Sequence, residues 1–239
     1  MLTAIRECDG QKLGAWEARK DDRPFVCFCC QRVVTLRRGP IIAPHFAHLP
    51  PVTCEYGTGE SEAHRRCKIA IYESLVADPR VSKCELERNL GTVRPDVSAY
   101  INNVPVAIEV QLSTLSLEKI AYRTSEYRRK GIYVLWLPVY HSGLDQELYS
   151  PRPWERWLHA TYFGRAYYWL EAATVLPVSF RDYYINLRGR TRDYQKLSRR
   201  KVPITGQPLN LIEHFKPFDR AACAQQMRVP GAKLMIAAS

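Results

Sequence analysis

Residues 93–112 read VRPDVSAYINNVPVAIEVQL, and the reading of this stretch decides the fold. Two apolar, β-branched runs flank Asn102 and Asn103, a pair that tolerates the left-handed backbone of a tight hairpin turn. Strands are expected over 93–101 and 104–112, preceded by a third over 82–89. Asp96 and Glu109 are thirteen residues apart, so a hairpin of that length sets both carboxylates on one face at neighbouring strand ends. Gln111 shares the face of Glu109, because strand side chains alternate with period two. Two carboxylates on one edge repel unless a cation lies between them. A hard divalent ion such as Mg2+ or Mn2+ meets that need with oxygen ligands and spare water positions. Glu109 also follows the apolar run Val104 to Ile108, where a carboxylate without a partner is costly.

The hairpin is bracketed by helices. From Glu60 the period becomes helical, with Ala63, Cys67, Ile71 and Leu75 at mostly four-residue steps, Ser61 suited to cap the first turn and Asp78-Pro79 to end the last. Glu60, His64 and Lys68 lie four apart on one face of that helix and form a polar stripe, which serves either a metal site or a surface ion-pair ladder. Residues 115–130 are helical, with Arg128-Arg129-Lys130 matching the C-terminal dipole and Gly131 the cap. A buried strand, Ile132 to Leu137, follows. The order is helix, three strands, helix, strand.

Upstream, the stretch 25–56 has little periodicity and many metal-ligating residues. Cys27 and Cys30 have the spacing of a knuckle that presents two thiolates to one tetrahedral ion. Cys29 stands between them, and His45, His48 and Cys54 follow, so four of the five residues Cys27, Cys30, His45, His48 and Cys54 complete a structural Zn2+ site. A closed four-ligand site has no water position, so zinc takes a folding role. Cys8, Cys67, Cys84 and Cys223 are scattered singly and read as structural thiols. Pro50-Pro51 and Gly57-Thr58-Gly59 mark a soft boundary, dividing the chain into 1–58, 59–140 and 141–239.

The chain has 239 residues with 46% hydrophobic and 25% charged composition, ordinary for a soluble globular protein. No apolar run approaches the roughly 20 residues of a membrane span. The first residues lack the blocks of a signal peptide, so a cytoplasmic location is expected, in which a disulfide framework is not. The net charge is +11, and residues 181–201 alone carry eight basic residues against Asp182 and Asp193, a local +6. Polyanions are the expected partners, nucleic acid ahead of acidic lipid because no apolar face accompanies the charge. Arg188, Arg190, Arg199, Arg200 and Lys201 are the candidate DNA contacts. A helix from about Pro153 to Tyr162 and a strand near 166–171 precede that stretch, and the whole region after 140 is expected to be basic and mostly helical, with Trp154, Trp157, Tyr162, Tyr167, Tyr168 and Trp169 packed inside.

Taken together, Phe25-Val26-Cys27-x2-Cys30, His45-Phe46-Ala47-His48, Glu60-Ser61-x2-His64-x3-Lys68, Arg94-Pro95-Asp96-Val97, Ile108-Glu109-Val110-Gln111-Leu112-Ser113, Arg123-Thr124 and Val134-Leu135-Trp136 resemble the CoiA competence-protein family over about residues 20–140. The resemblance implies an α/β nuclease core of the PD-(D/E)xK kind behind a zinc-ribbon-like N-terminal module. It implies that Asp96 and Glu109 bind the catalytic Mg2+ or Mn2+, that Glu60 supports them, and that Gln111 stands where the classical core has a lysine. A glutamine orients a water or phosphate oxygen but supplies no charge. Lys68 and Lys119 are the candidates for the missing cation. His64 positions Glu60 or touches phosphate, Lys68 shares the phosphate role, and Ser113 binds phosphate or caps a turn. The expected activity is metal-dependent DNA endonuclease, structure-selective for branched or single-stranded DNA, in recombination or competence. The alternatives are a non-catalytic DNA-binding module that recruits a recombinase, and a defence nuclease.

Overall fold

The structure is a computed structural model that describes residues 1–54, 60–112, 114–189, 192–217 and 234–236. Five short strands come first: β1 (Thr3–Arg6), β2 (Lys12–Gly14), β3 (Phe25–Val26), β4 (Val33–Arg37) and β5 (His45–His48). They form an antiparallel sheet in the order β2-β1-β3-β4-β5. Its small core gathers Ala4, Phe25, Val34, Leu36 and Phe46 with Cys27 and Cys54, and the rings of Phe25 and Phe46 meet 5.1 Å apart. So few apolar residues give a thin core, which is the setting where a metal cluster adds most to folding.

The central unit is α1 (Glu62–Val76), β6 (Val81–Leu86), β7 (Val97–Ile101), β8 (Val104–Gln111), α2 (Leu117–Arg129) and β9 (Tyr133–Pro138), the element order read from the sequence. Ser61 caps α1 by accepting the His64 N–H at 3.1 Å, and Ser116 caps α2 in the same way through Lys119. Asn102 and Asn103 both take positive φ, 50° and 65°, which is the turn that matches strand twist in a two-residue hairpin. Strands β6, β7 and β8 are antiparallel, and β9 adds in parallel to β8 after α2. Positions 106–110 of β8 are all buried, the mark of a strand covered on both faces.

The region after 140 corrects the expectation of a mostly helical C-terminal part. It holds one helix, α3 (Pro153–Thr161), and then β10 (Ala166–Glu171), β11 (Thr174–Leu187), β12 (Tyr194–Thr205) and β13 (Leu209–Asn210). β11 pairs with β10, β12 and β13, and β14 (Phe215–Pro217) pairs in parallel with β15 (Leu234–Ile236). The basic stretch therefore lies on a long β-hairpin, not on a helix. Its charge density obscures a run of strand formers, Tyr183-Tyr184-Ile185 on one side and Val202-Pro203-Ile204-Thr205 on the other. The aromatic group is packed as expected: Trp154, Tyr162, Tyr167 and Tyr168 are buried in one core with β7, β8 and β9, and Tyr162 Oη accepts the Trp136 N–H at 2.8 Å.

Candidate active site and metal centre

The hairpin register sets the carboxylates. Val97 pairs with Ile108, and one step further along both strands stand Asp96 and Glu109. The Val110 N–H donates to Asp96 Oδ2 at 2.9 Å, which ties the loop end of β7 to β8. His64 Nε2 bonds the same oxygen at 3.1 Å, and Lys68 Nζ is 3.5 Å from Oδ1. These cations and hydrogen bonds outweigh burial and hold the Asp96 carboxyl well below the usual range. Burial alone would lower the His64 imidazole, yet its bond to Asp96 and that residue's charge raise it.

Lys68 gathers the rest. It is 1% exposed, and Nζ donates to Glu60 Oε1 and to Glu87 Oε1, each at 2.6 Å. Its ammonium is held charged because three carboxylates surround it, which more than offsets desolvation. Glu60 precedes the Ser61 cap and so lies just outside α1, not on its face as expected. It still meets His64 Nδ1 at 3.7 Å, and with His64 and Lys68 it faces the carboxylates instead of forming a surface ladder. Glu87 accepts from the N–H groups of Leu2 and Thr3, which anchors β1 beside the site.

Glu109 is 1% exposed and behaves differently. Burial pushes its carboxyl up to about 7, with the Asp96 charge adding to the rise and Arg123 and Tyr127 acting against it. Both the Arg123 guanidinium and the Tyr127 hydroxyl donate to Oε1. Gln111, two residues on, lines a cavity of about 240 Å3 with Pro138, Tyr140, His141, Arg152 and Glu155.

The second cluster lies in the N-terminal sheet. Cys27, Cys30, His48 and Cys54 bring their ligand atoms within 4.8 Å of one another, with Cys27 Sγ 4.0 Å from Cys54 Sγ and Cys30 Sγ 3.3 Å from His48 Nε2. A tetrahedral zinc with Zn–S bonds near 2.3 Å has sulfur atoms about 3.8 Å apart, so three thiols and an imidazole at this spacing fit the ion. Burial holds His48 below its ordinary value, in the neutral form that ligates, and pushes the Cys27 thiol up to about 11. Of the five candidates, Cys27, Cys30, His48 and Cys54 are the four that the structure brings together, and His45 lies apart from them. On β5, Phe46 and His48 point to the buried face, while His45 alternates outward with Nδ1 3.0 Å from the Ala43 carbonyl.

Residues 8–57 match the family model "Competence protein CoiA, N-terminal domain", and residues 60–148 match "Competence protein CoiA, nuclease-like domain". A curated Competence protein CoiA from Bacillus subtilis (strain 168) is 33% identical over 132 residues, covering 54% of this chain. The chain belongs to a CoiA-like family. The match spans 35% of the length of that relative. No solved structure matches the chain.

One DNA-contact expectation for this CoiA-like chain needs correcting. Lys68 is buried and held by carboxylates, so it is not presented as a surface contact. The partly exposed His64 is turned onto Asp96 and meets Glu60, one of its two expected roles. Lys119 is exposed at the start of α2, whereas Lys68 lies within the carboxylate cluster. Arg188, Arg199 and Arg200 are exposed on the β11–β12 hairpin, and Lys201 is partly buried and paired with Asp182 at 2.6 Å. Arg190, Ser113, Cys223 and Gly57-Thr58-Gly59 lie outside the described residues. The described cysteines are free thiols, and no described helix is long and apolar enough to cross a membrane. Glu87 and Tyr127 had no site role in the sequence reading, and Arg123 entered it only as part of the Arg123-Thr124 motif, without a role of its own. Arg123 and Tyr127 carried a signal, because they continue the inward face of α2 begun by Ile120 at steps of three and four.

Proposed function

We propose that the chain is a metal-dependent DNA endonuclease with a PD-(D/E)xK-type core, in which Asp96 and Glu109 hold Mg2+ or Mn2+. One observation carries this reading. Glu60, Lys68, Glu87, Asp96, Glu109 and Arg123 converge at one end of an otherwise apolar sheet, where burying charge is expensive and perturbed carboxylates mark functional sites. The family assignment supports a nuclease-like role, and the curated relative's name supports a setting in competence. When bound, the ion polarises a phosphoryl oxygen and makes its water acidic enough to attack a phosphodiester.

The chain's own residues prepare that chemistry. His64 and the Val110 N–H fix the direction of Asp96, and Lys68 supplies the positive charge that Gln111 lacks. Glu60 sets Lys68 between itself and Glu87 and thereby acts on Asp96 at one remove. Gln111 orients a water or phosphate oxygen. Zn2+ at Cys27, Cys30, His48 and Cys54 stabilises the N-terminal sheet and has no part in bond cleavage. Arg188, Arg199 and Arg200 bind phosphates along the DNA backbone with little sequence preference. A cytoplasmic setting, which keeps the thiols reduced, belongs to the same proposal.

Arg123 on Glu109 favours a second reading, a DNA-binding scaffold that recruits a recombinase and does not cut. Cleavage assays with Asp96→Asn separate the two, since a pure binder is indifferent to that change.

A further inference from the structure

Arg94 is gripped at two points. Its guanidinium carbon lies 5.0 Å from the centre of the Phe28 ring, and its carbonyl oxygen accepts a 2.9 Å bond from Arg123 Nη2, the nitrogen that also bonds Glu109. Phe28 sits between Cys27 and Cys30, so its ring is carried by the knuckle of the Cys/His cluster. Two bonds between backbone and side chain shape that knuckle: the Cys29 N–H donates to Cys27 Sγ at 3.4 Å, and Gln31 Nε2 donates to the Phe28 carbonyl at 3.1 Å. Phe28 belongs to neither apolar core.

Asp96 follows Arg94 by two residues, with Pro95 limiting the backbone between them. The Asp96 carbonyl accepts the Glu87 N–H at 3.1 Å, and the Arg94 charge also acts on the Glu87 carboxylate. The short segment that delivers Asp96 is therefore tied to the knuckle at one end and to β6 at the other. Arg123 links that segment to Glu109.

We infer that Phe28 is a positioning residue for the carboxylate pair: the filled knuckle fixes its ring, the ring fixes Arg94, and Arg94 fixes the placement of Asp96 relative to Glu109. The inference rests on the proposed ion site and goes beyond it by making the order of one metal centre a condition for affinity at the other. A cation–π contact of this kind is modest, so the effect is one of tuning and not of collapse.

The test compares wild type, Phe28→Ala, Phe28→Trp and Glu109→Gln as the whole 239-residue chain, zinc-loaded. Mn2+ is titrated calorimetrically without DNA, zinc is counted by elemental analysis, and thermal melting is recorded. Glu109→Gln identifies which Mn2+ signal belongs to the carboxylate pair. The inference expects Phe28→Ala to retain one zinc per chain and its melting point while Mn2+ affinity falls about two- to thirty-fold. Phe28→Trp, which keeps an aromatic face for Arg94, restores it. Where DNA is cleaved, kcat falls at constant KM. Unchanged Mn2+ affinity in Phe28→Ala, a loss matched by zinc loss, or no recovery in Phe28→Trp overturns the inference. Mn2+ uptake without DNA cleavage by wild type overturns the nuclease reading alone, and the Phe28 comparison still decides the positioning role. A wild type with no Mn2+ signal sensitive to Glu109→Gln overturns both.

Discussion

Lys68 Nζ and Glu87 Oε1 lie 2.6 Å apart, and each residue is 1% exposed. Leaving buried charge without its partner costs about 3–5 kcal/mol. Lys68→Met, which strips the cation from Glu60, Glu87 and Asp96 together, is expected to lower unfolding stability by roughly that amount, and Glu87→Gln by less, because Lys68 keeps Glu60 and Asp96; both are read from denaturant midpoints. Thr3 and Leu2 also lean on Glu87, so Glu87→Gln should loosen β1 as well, visible as faster amide exchange there.

The acid limb of stability follows from the same cluster. Glu87 and Asp96 are held below their ordinary values of 4.5 and 3.8, so they bind protons less readily folded than unfolded. Their stabilisation is full above about pH 5, begins to be lost as pH falls past the unfolded values, and is gone only below the much lower folded ones. Lys68 is raised, so its contribution persists through neutral pH and is lost only in strong base. Melting temperature should drop steeply below pH 4.5, and Glu87→Gln should flatten that drop.

Glu109 has the opposite sign. Below about pH 7 it carries a proton that must leave before an ion binds. Mn2+ affinity should fall about tenfold for each pH unit below 7 and level off above it. A flat profile between pH 5.5 and 8 contradicts Glu109 as a ligand.

The two histidines of β5 separate the zinc assignment cleanly. His48→Asn should lose zinc and lower the stability of the N-terminal sheet, whereas His45→Asn should keep one zinc per chain. Equal zinc loss in both would contradict the inward assignment of His48.

Charge reversal at Arg199 and Arg200 should weaken DNA binding and reduce the slope of log affinity against log salt by about one for each phosphate no longer neutralised. Lys201, paired with Asp182, should contribute less than either arginine. An unchanged slope would mean that the hairpin is only a solvated arm.

The helix, three strands, helix, strand order was legible because its signals are local: Ser61 at the first cap, Asn102-Asn103 at the turn, and Gly131, with φ 67°, after α2. The facing of Asp96 and Glu109 followed from register arithmetic, which needs only period two and a known turn. The choice between His45 and His48 stayed open in the sequence, because it turns on which face of β5 is buried, and only the structure shows Phe46 and His48 sharing that face. The hairpin of β11 and β12 was obscured because charged strands with both faces exposed lack the apolar alternation that announces a sheet. Glu87 was missed for another reason: its partners, Lys68 and the N–H groups of Leu2 and Thr3, are distant in sequence, and only tertiary packing brings them together.

The most direct measurement is cleavage of labelled single-stranded, duplex and branched DNA with Mg2+, Mn2+ or EDTA, comparing wild type with Asp96→Asn and Glu109→Gln. The account predicts cutting that requires the ion and falls at least a hundredfold in both variants, on the order of what loss of a metal ligand costs. Cutting that persists in EDTA or in either variant, or intact DNA bound equally by all three proteins, would contradict it.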